Sequence, residues 1–278
     1  MKCLRILVYL FAVANCARPF PMSDQQSQQE LGMILLWNAF PATFTPASIG
    51  GLRLWLQAES LTQASGSSVS SWPDLSGMAN TVQQATPASQ PLLMAGQING
   101  KPVVRFDGVN DFMLKTSQQG MNNAPDCSFF SVFKRSTLSA GVNRQIIMIG
   151  PNTNNTGRAF GFDFTDHFIF GKVGTGSAVT SATTFGTANF SLVSMTNTAA
   201  GTATVFLNGT QDASGTLALT FVSPDLAIGS NPDGATSFQG MDLAEVLFYD
   251  SALPSTALSR IECYLASRYG ITPAHSCQ

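Results

Sequence analysis

The fold of this chain is decided by the stretch MDLAEVLFYD (residues 241–250), which is followed by SALP (251–254) and by a segment that ends in RYGI (268–271). Apolar, β-branched and aromatic residues dominate the first stretch, which predicts a strand. Pro254 cannot donate a hydrogen bond to a strand ladder, so the strand has to end before it. One helix after the final strand of an otherwise β-rich chain narrows the fold more than composition does.

The residues after Pro254 predict a short amphipathic helix. Ser255 is a good N-cap, and Gly270 suits the left-handed position that ends a helix. Apolar residues recur at a spacing of three and four and form one stripe: Ala257, Leu258, Ile261, Tyr264, Leu265 and Tyr269. We expect Glu262 and Arg268 to lie largely on the other side, and the helix to cover one edge or end of a sheet.

Between residues 52 and 229 the sequence predicts short strands separated by turns. Apolar and polar residues alternate from Leu52 to Gln57, which is typical of a half-buried strand. The pairs Asp107-Gly108 and Asn208-Gly209 are strong turn signals. Further strands are predicted at 101–106, 112–115, 127–134, 145–149, 159–164, 168–172, 190–195, 202–207 and 226–229. Roughly a dozen such strands predict an all-β fold, a two-sheet antiparallel jelly-roll sandwich with a short C-terminal α-helix.

Bulk properties limit the function. The chain has 278 residues, of which 44% are hydrophobic and 11% are charged, and its formal net charge is -2. This length suits one large domain, or one domain with a tail. Because binding to nucleic acid requires clustered lysine and arginine, and the sequence has no such cluster, we expect no nucleic-acid partner.

The first seventeen residues differ from the rest. Lys2 and Arg5 precede the apolar run 6–14, which is too short to span a bilayer, so we expect no integral membrane span. The pattern is typical of a signal peptide that is cleaved near residues 14–16, and it predicts an extracellular protein. Two alternatives stay open: a hydrophobic leader that is retained, and a true start at Met22.

The chain divides into four segments. Residues 1–17 are the signal peptide or leader, and residues 18–46 are a linker or an assembly arm that contains the apolar island Met33–Trp37. Residues 47–272 form the sandwich domain, and residues 273–278 are a tail.

Three cysteines follow the leader, namely Cys127, Cys263 and Cys277. Cys263 and Cys277 either pair, which would pin the tail to the helix, or stay free. No cysteine and histidine in the sequence have the spacing of a zinc site.

Five motifs keep an order that is specific as a set. They are LRLWLQA (52–58), VSSWPDLSG (69–77), NGKPVVRFDG (99–108), FLNG (206–209) and YLASRYGI (264–271). The set resembles the laminin-G-like, concanavalin A-like jelly-roll modules, and the resemblance covers residues 45–272. It implies a lectin-like and glucanase-like sandwich of the kind found in secreted bacterial proteins and in phage structural proteins. It does not fix a function, because one fold hosts many functions.

Catalysis is not expected. A glucanase of this fold needs two carboxylates on one strand, as nucleophile and acid. Asp163 and Asp166 flank a turn, and Asp242 and Glu245 are three apart, so we expect the latter two on opposite faces of a strand. His167 lies in a turn, without a nucleophile-elbow sequence to support a catalytic triad.

Calcium is the cofactor that the loops favour. Ca²⁺ takes hard oxygen ligands that cluster in loops, and the resemblance to laminin-G-like domains implies such a site. The candidate ligands form two groups: Asp107, Asn110 and Asp111 on one turn, and Asp225, Asn231 and Asp233 around another. Asp and Asn also favour turns without a metal, so ordinary turn chemistry stays open as the simpler explanation.

Glycan recognition would use exposed aromatic faces beside polar side chains. The aromatic residues nearest polar loops are Trp55, Trp72, Phe112 and Phe238. We expect most of them to be core residues, Trp72 among them, because Trp72 lies where the motif pattern is regular.

Two functions are consistent with the sequence. The first is a non-catalytic extracellular binding module for carbohydrate or another cell-surface ligand. The alternative is a structural component of a virion, phage particle or extracellular filament. In that case the sandwich is a building block, and residues 18–46 bind another copy or a structural partner, since an apolar patch on a polar arm favours association.

Overall fold

A computed structural model describes residues 44–121, 125–150, 157–172, 177–217 and 225–277. Thr45–Gln278 form one compact unit. The leader (1–17), the alternative start at Met22 and the island Met33–Trp37 lie outside the described residues, so these predictions stay predictions, as do the segment boundaries. In the described part of the chain, no helix is long and apolar enough to cross a membrane.

Strands dominate the regular structure of the described residues. They are β1 Leu52–Gln57, β2 Ser71–Trp72, β3 Val82–Gln83, β4 Leu92–Ile98, β5 Lys101–Asp107, β6 Met113–Lys115, β7 Cys127–Arg135, β8 Arg144–Ile149, β9 Arg158–Phe162, β10 His167–Lys172, β11 Ala178–Thr184, β12 Ser191–Asn197, β13 Thr202–Leu207, β14 Thr210–Thr216, β15 Leu226–Ile228 and β16 Gly240–Tyr249. The helix, α1, is Ser255–Tyr269. Short 3-10 turns lie at Pro46–Ser48, Ala58–Ser60 and Pro87–Ser89.

The strands form two antiparallel sheets. The first sheet has the order β14-β13-β12-β7-β16-β5-β4, and β1 also pairs with β16. The second sheet has the order β11-β10-β9-β8-β15-β6-β3-β2. Their inner faces share one hydrophobic core, in which the rings of Phe129 and Phe160 stack across the sandwich with centroids 4.5 Å apart. The predicted all-β sandwich with a C-terminal helix is confirmed.

Both predicted turns are confirmed. Gly108 follows β5 with a φ of +77°. Asn208 and Gly209 have φ values of +48° and +78° and connect Leu207 to its register partner Thr210. Two successive residues with positive φ match the right-handed twist of a tight hairpin, which explains the Asn-Gly pair.

β16 lies in the middle of the first sheet and is buried along its whole length. β7 pairs with one side of it, while β5 pairs with the first half of the other side and β1 with the second half. Leu243 and Val246 both face the core although they are three residues apart. The register against β7 shifts after Leu243, so Ala244 is the extra residue of a β-bulge.

Five strands have no counterpart in the sequence analysis: β2, β3, β4, β11 and β14. β11 and β14 are the outer strands at one edge of each sheet, and most of their residues are exposed. Their sequences, AVTSATT and TQDASGT, are small and polar because an edge strand buries little surface. Apolar periodicity therefore does not mark them.

α1 begins differently from the prediction and ends as predicted. Ser255 is the first helical residue rather than the N-cap, and no side chain caps the helix. The carbonyl of Pro254 instead accepts the N–H groups of Ala257 and Leu258. Gly270 ends the helix with a φ of +66°.

α1 packs on the outer face of the first sheet, not on an edge or end as expected. Tyr264 and Tyr269 donate hydrogen bonds to Glu245 of β16, and Ser194 of β12 donates one to Glu262. Since β7 lies between β16 and β12, the helix crosses three strands. Glu262 is buried, contrary to the prediction. The other buried residues of α1 are Leu258, Ile261, Leu265, Ala266 and Tyr269.

A disulfide joins Cys263 of α1 to Cys277, with 5.5 Å between the Cα atoms. The sequence left open whether these two cysteines pair or stay free. The structure shows that they pair, and the bond attaches the tail to the helix. Cys127 is a free and buried cysteine. Burial raises the pKa of the Cys127 thiol to about 11, so this residue is a poor nucleophile and metal ligand at neutral pH.

Candidate functional site

An open groove of about 430 Å³ lies where β3 pairs with β6 in the second sheet. Gln83 and Leu114 are register partners there, and both line the groove. Their neighbours Val82 and Met113 are fully buried in the core. Because side chains alternate along a strand, Gln83 and Leu114 point outward, and the groove is on the outer face of the sheet.

We call this feature the Phe112 groove. Its lining consists of Thr81, Gln83, Gln84, Ala85, Phe112, Leu114, Lys115 and Thr116. The lining therefore combines an aromatic ring with amide, hydroxyl and ammonium groups, which come from β3, β6 and the residues next to these two strands.

The ring of Phe112 is held in place from several directions. The N–H of Phe112 donates to the carbonyl of Ser89 at 3.3 Å, and Gln84 Nε2 donates to the carbonyl of Phe112 at 3.1 Å. Gly234 has a φ of +62°, and a Cβ there would lie 2.5 Å from Cζ of Phe112. The glycine thus lets backbone pack against the ring. Phe238 lies beside it, with ring centroids 6.3 Å apart.

The groove presents both apolar and polar groups to solvent. Small-molecule sites combine apolar and aromatic walls with a few polar groups that fix orientation. Phe112 and Leu114 supply the apolar surface, and Gln83 and Lys115 supply a hydrogen-bonding amide and a positive charge. Of these residues the sequence singled out only Phe112, because Gln83 and Lys115 carry no local signal that separates them from ordinary surface positions.

The β5–β6 turn leads directly into the groove, since Asp111 precedes Phe112. Asp107 Oδ1 accepts the N–H groups of Val109, Asn110 and Asp111 at 2.8, 3.1 and 3.2 Å. Asp111 Oδ2 accepts the N–H of Asp107 at 2.9 Å. The structure brings the first group of predicted calcium ligands together, and one oxygen of each carboxylate serves the turn itself.

Asp111 differs from its neighbours in burial. Its side chain is buried, whereas Asp107 and Asn110 are exposed. Burial raises the pKa of Asp111 to about 6; the N–H of Asp107 opposes this rise, and the Asp107 carboxylate adds to it. A cation beside Asp111 would favour its charged form.

The second group of predicted ligands does not assemble. Asp225 precedes β15, whereas Asn231 and Asp233 follow it, so the strand separates them. Asn231 Nδ2 donates to Thr236 Oγ1 at 2.7 Å, and Asp233 Oδ1 accepts the N–H of Ala235 at 3.0 Å. The latter two residues therefore stabilise the loop between β15 and β16.

A buried polar network lies under α1. Glu245 accepts hydrogen bonds from Trp55 Nε1 at 2.7 Å, Gln57 Nε2 at 3.2 Å, the Tyr264 hydroxyl at 3.3 Å and the Tyr269 hydroxyl at 2.7 Å. Burial raises the pKa of Glu245 to about 7, although all four hydrogen bonds oppose the rise. We call these five residues the Glu245 network.

Asp242 and Glu245 share one face of β16, so the prediction that they face opposite sides is wrong. Asp242 pairs with Lys134 of β7, and Glu245 pairs with Val132. Lys134 and Val132 are two apart on a regular strand and therefore face the same side. The bulge at Ala244 adds one residue to β16 between the two carboxylates and brings them onto one face.

This pair of carboxylates gives no support to glycoside hydrolysis. The Asp242 and Glu245 side chains are 2% and 0% exposed. Asp242 is bound by Arg105 Nε at 2.6 Å and by Lys134 Nζ at 3.5 Å. Donors of the protein thus occupy both carboxylates, and both are buried.

The remaining polar candidates support loops. His167 Nδ1 lies 2.9 Å from Thr165 Oγ1, and Asp163 Oδ1 accepts the N–H of His167 at 3.0 Å. Asp166 Oδ1 accepts a hydrogen bond from the buried guanidinium of Arg135 at 2.8 Å. These hydrogen bonds stabilise the turn between β9 and β10 and connect it to the end of β7.

Two of the four aromatic candidates, Trp72 and Trp55, do not line the groove. Trp72 is fully buried, and its Nε1 donates to the carbonyl of Gln57 at 3.0 Å, which confirms that it is a core residue. Trp55 belongs to the Glu245 network. Phe112 lines the groove, and Phe238 packs behind it.

The comparison with protein families agrees with this architecture. Residues 132–259 match the model of the concanavalin A-like lectin/glucanases superfamily. The resemblance found in the motifs is thereby confirmed over that range. A comparison with curated proteins finds no match.

Solved structures with the same fold include binding domains. The binding domain of Paraclostridial Mosquitocidal Protein 1 has a TM-score of 0.57 at 13% identity, covering 77% of this chain and 52% of that one. The botulinum neurotoxin serotype D binding domain has a TM-score of 0.56 at 14% identity, covering 78% and 52%. Trypanosoma rangeli sialidase has a TM-score of 0.53 at 14% identity, covering 87% and 39%. The chain thus spans about half the length of the two toxin structures, and these likenesses concern the fold alone.

Proposed function

We propose that this protein is a non-catalytic extracellular binding module, and that its ligand is a carbohydrate or another cell-surface molecule. The observation that carries the proposal is the Phe112 groove. A flat aromatic ring can pack against the C–H face of a sugar, while Gln83, Lys115 and the threonine hydroxyls can bind its hydroxyl groups. Hydroxyl-rich ligands need both kinds of contact.

Two further observations support an extracellular location. The protein has a disulfide between Cys263 and Cys277, and disulfides form and persist in oxidising compartments. The sequence of residues 1–17 is typical of a signal peptide. The toxin structures of the same fold are themselves binding domains, which agrees with a binding role.

A glycan array probed with the full-length protein tests the proposal. We expect binding to a subset of glycans, with competition by the free sugar. Light scattering of the same sample tests the alternative function in virion or filament assembly. A large oligomer that dissociates when residues 1–46 are removed, together with an array that shows no binding, would favour assembly and defeat the binding proposal.

We also propose that Asp107, Asn110 and Asp111 hold a calcium ion on the turn between β5 and β6. One oxygen of each carboxylate serves the turn, so the second oxygens, the Asn110 amide and water would complete the shell.

Calorimetric titration with Ca²⁺ and thermal unfolding test the calcium site. We expect heat on titration and, at calcium near one hundred times Kd, a rise in Tm of about 5 °C. Asp111→Asn should remove both effects, whereas the control Asp233→Asn should keep them. A wild-type protein without heat or a shift in Tm would dismiss the site.

A further inference from the structure

Two sulfur atoms and an imidazole nitrogen converge beside α1. One ligand atom from each of Cys263, His275 and Cys277 lies within 4.8 Å of the other two. Cys263 Sγ is 3.8 Å from His275 Nδ1. Thiolate sulfur and imidazole nitrogen are the donors that Zn²⁺ prefers. The two sulfurs are joined in the disulfide, so they become available as thiolates only when that bond is opened.

A buried carboxylate orients the imidazole. His275 Nε2 lies 2.7 Å from Glu262 Oε2. Glu262 is buried, and its other oxygen accepts a hydrogen bond from Ser194 Oγ. The Nε2–H therefore donates to Glu262, and the lone pair of Nδ1 faces Cys263. A carboxylate behind a histidine ligand fixes the tautomer in the same way in protein metal sites.

The position of His275 does not depend on the disulfide alone. The N–H of Ala274 donates to the carbonyl of Asn208 at 2.9 Å. A Cβ at Gly209 would lie 2.8 Å from Cδ2 of His275, so the glycine of the β13–β14 hairpin leaves room for the ring. These contacts, together with Glu262, keep the imidazole directed at Cys263 when the disulfide is open.

We propose that reduction of the Cys263–Cys277 disulfide converts this cluster into a zinc site, with Cys263, Cys277 and His275 as ligands and water in the fourth position. A phosphine or dithiol reductant supplies the two electrons that cleave the S–S bond, and two thiols form. Zn²⁺ then binds both as thiolates and displaces their two protons. In the oxidised protein both sulfurs are held in the disulfide, so the redox state decides whether the site exists.

Cobalt and zinc titrations of the full-length protein test this inference. The protein is reduced with a phosphine and titrated with Co²⁺ under anaerobic conditions. We expect one bound Co²⁺ with the visible bands of a tetrahedral ion and a thiolate charge-transfer band, both lost when Zn²⁺ is added. The oxidised protein should show neither band.

Three variants assign the ligands. The double variant Cys263→Ser/Cys277→Ser keeps the other cysteines and measures any background binding by them. His275→Gln removes the imidazole ligand and should abolish the tight site. Glu262→Gln keeps the ligands but weakens the orienting contact, and we expect zinc affinity to fall by about 10–100-fold.

Two results would overturn the proposal. The first is a reduced wild-type protein that binds no more Co²⁺ than the Cys263→Ser/Cys277→Ser variant. The second is an unchanged affinity in His275→Gln. If reduction alone unfolds the protein, added Zn²⁺ has to restore the folded state measured by circular dichroism, because a metal that binds the folded form stabilises it. Failure of zinc to do so would also overturn the proposal.

Discussion

The Glu245 network and the Phe112 groove both combine aromatic rings with polar side chains, but they use them in opposite ways. Under α1, donors from β1 and α1 surround Glu245 and leave its side chain 0% exposed. In the groove, Gln83 is exposed and faces solvent beside the ring of Phe112. The first arrangement fixes a helix to a sheet, whereas the second leaves polar groups free for a ligand.

The comparison also shows that a shifted pKa does not by itself mark a functional site. Burial raises the pKa of Glu245 to about 7 and that of Asp111 to about 6. Glu245 is satisfied by four donors of its own chain, while Asp111 lies on the turn between β5 and β6, next in sequence to the groove residue Phe112. A shifted pKa therefore has to be interpreted together with the geometry around the group.

The largest expected effect is the loss of the acceptor at the centre of the network. Glu245→Leu removes the shared acceptor of four donors, those of Trp55, Gln57, Tyr264 and Tyr269, and we expect the free energy of unfolding to fall by about 3–5 kcal/mol. Urea unfolding measures it. The control Glu59→Gln, on an exposed residue, should cost about 1 kcal/mol or less. Equal losses in both variants would mean that the network is not a stabilising element.

The pH dependence of stability gives the next largest effect. The pKa of Glu245 is about 7 in the folded protein against an ordinary value of 4.5, so the folded state binds this proton more tightly. The resulting stability is fully present below about pH 4.5 and is lost as the pH rises through 7. Between pH 5 and pH 8, wild type should lose up to about 3 kcal/mol more than Glu245→Gln in urea unfolding. Parallel pH profiles for the two proteins would contradict this assignment.

The groove is tested by removing its aromatic face while its apolar volume is kept. For a ligand identified on the array, Phe112→Leu should weaken binding by about tenfold or more, because stacking on the flat ring is lost. Stability should change by less than about 1.5 kcal/mol. Phe164→Leu, at an exposed phenylalanine outside the groove lining, is the matched control and should keep its affinity within about threefold. An unaffected affinity in Phe112→Leu would move the binding site elsewhere.

The smallest expected effect concerns charge in the groove. Lys115→Gln should lower the affinity for a carboxylate-bearing glycan by about threefold at low salt, and less at high salt, because an exposed ion pair contributes little and is screened. A neutral glycan should bind both proteins equally. Lys101→Gln, which removes a charge outside the groove, serves as the control. An identical loss in both variants would point to a general effect of net charge.

Much of the fold could be predicted because its signals are local. The apolar run of β16, the glycine that ends α1 and the Asn208-Gly209 hairpin each follow from a few adjacent residues. Edge strands such as β11 and β14 were not predicted, because they bury little apolar surface and pair through their backbone. Such pairing requires no apolar pattern in the sequence.

The candidate sites depend less on local signals. The first calcium group lies within one turn, so sequence placed Asp107 and Asp111 together correctly. The Phe112 groove joins β3 to β6, and the zinc cluster joins α1 to the tail. Sequence spacing carries no information on such contacts, and the spacing of cysteine and histidine argued against a zinc site.

By itself, the sequence determined the class of fold, the order of most strands, the closing helix and the position of the Asp107 turn, because these follow from periodicity, turn chemistry and the ordered set of motifs. Only the tertiary structure decided that Asp242 and Glu245 share a face, that α1 covers a sheet rather than its edge, and that Cys263 pairs with Cys277. The physical reason is that one extra residue in a bulge reverses the alternation of a strand, and that packing between distant segments depends on register, which composition does not record.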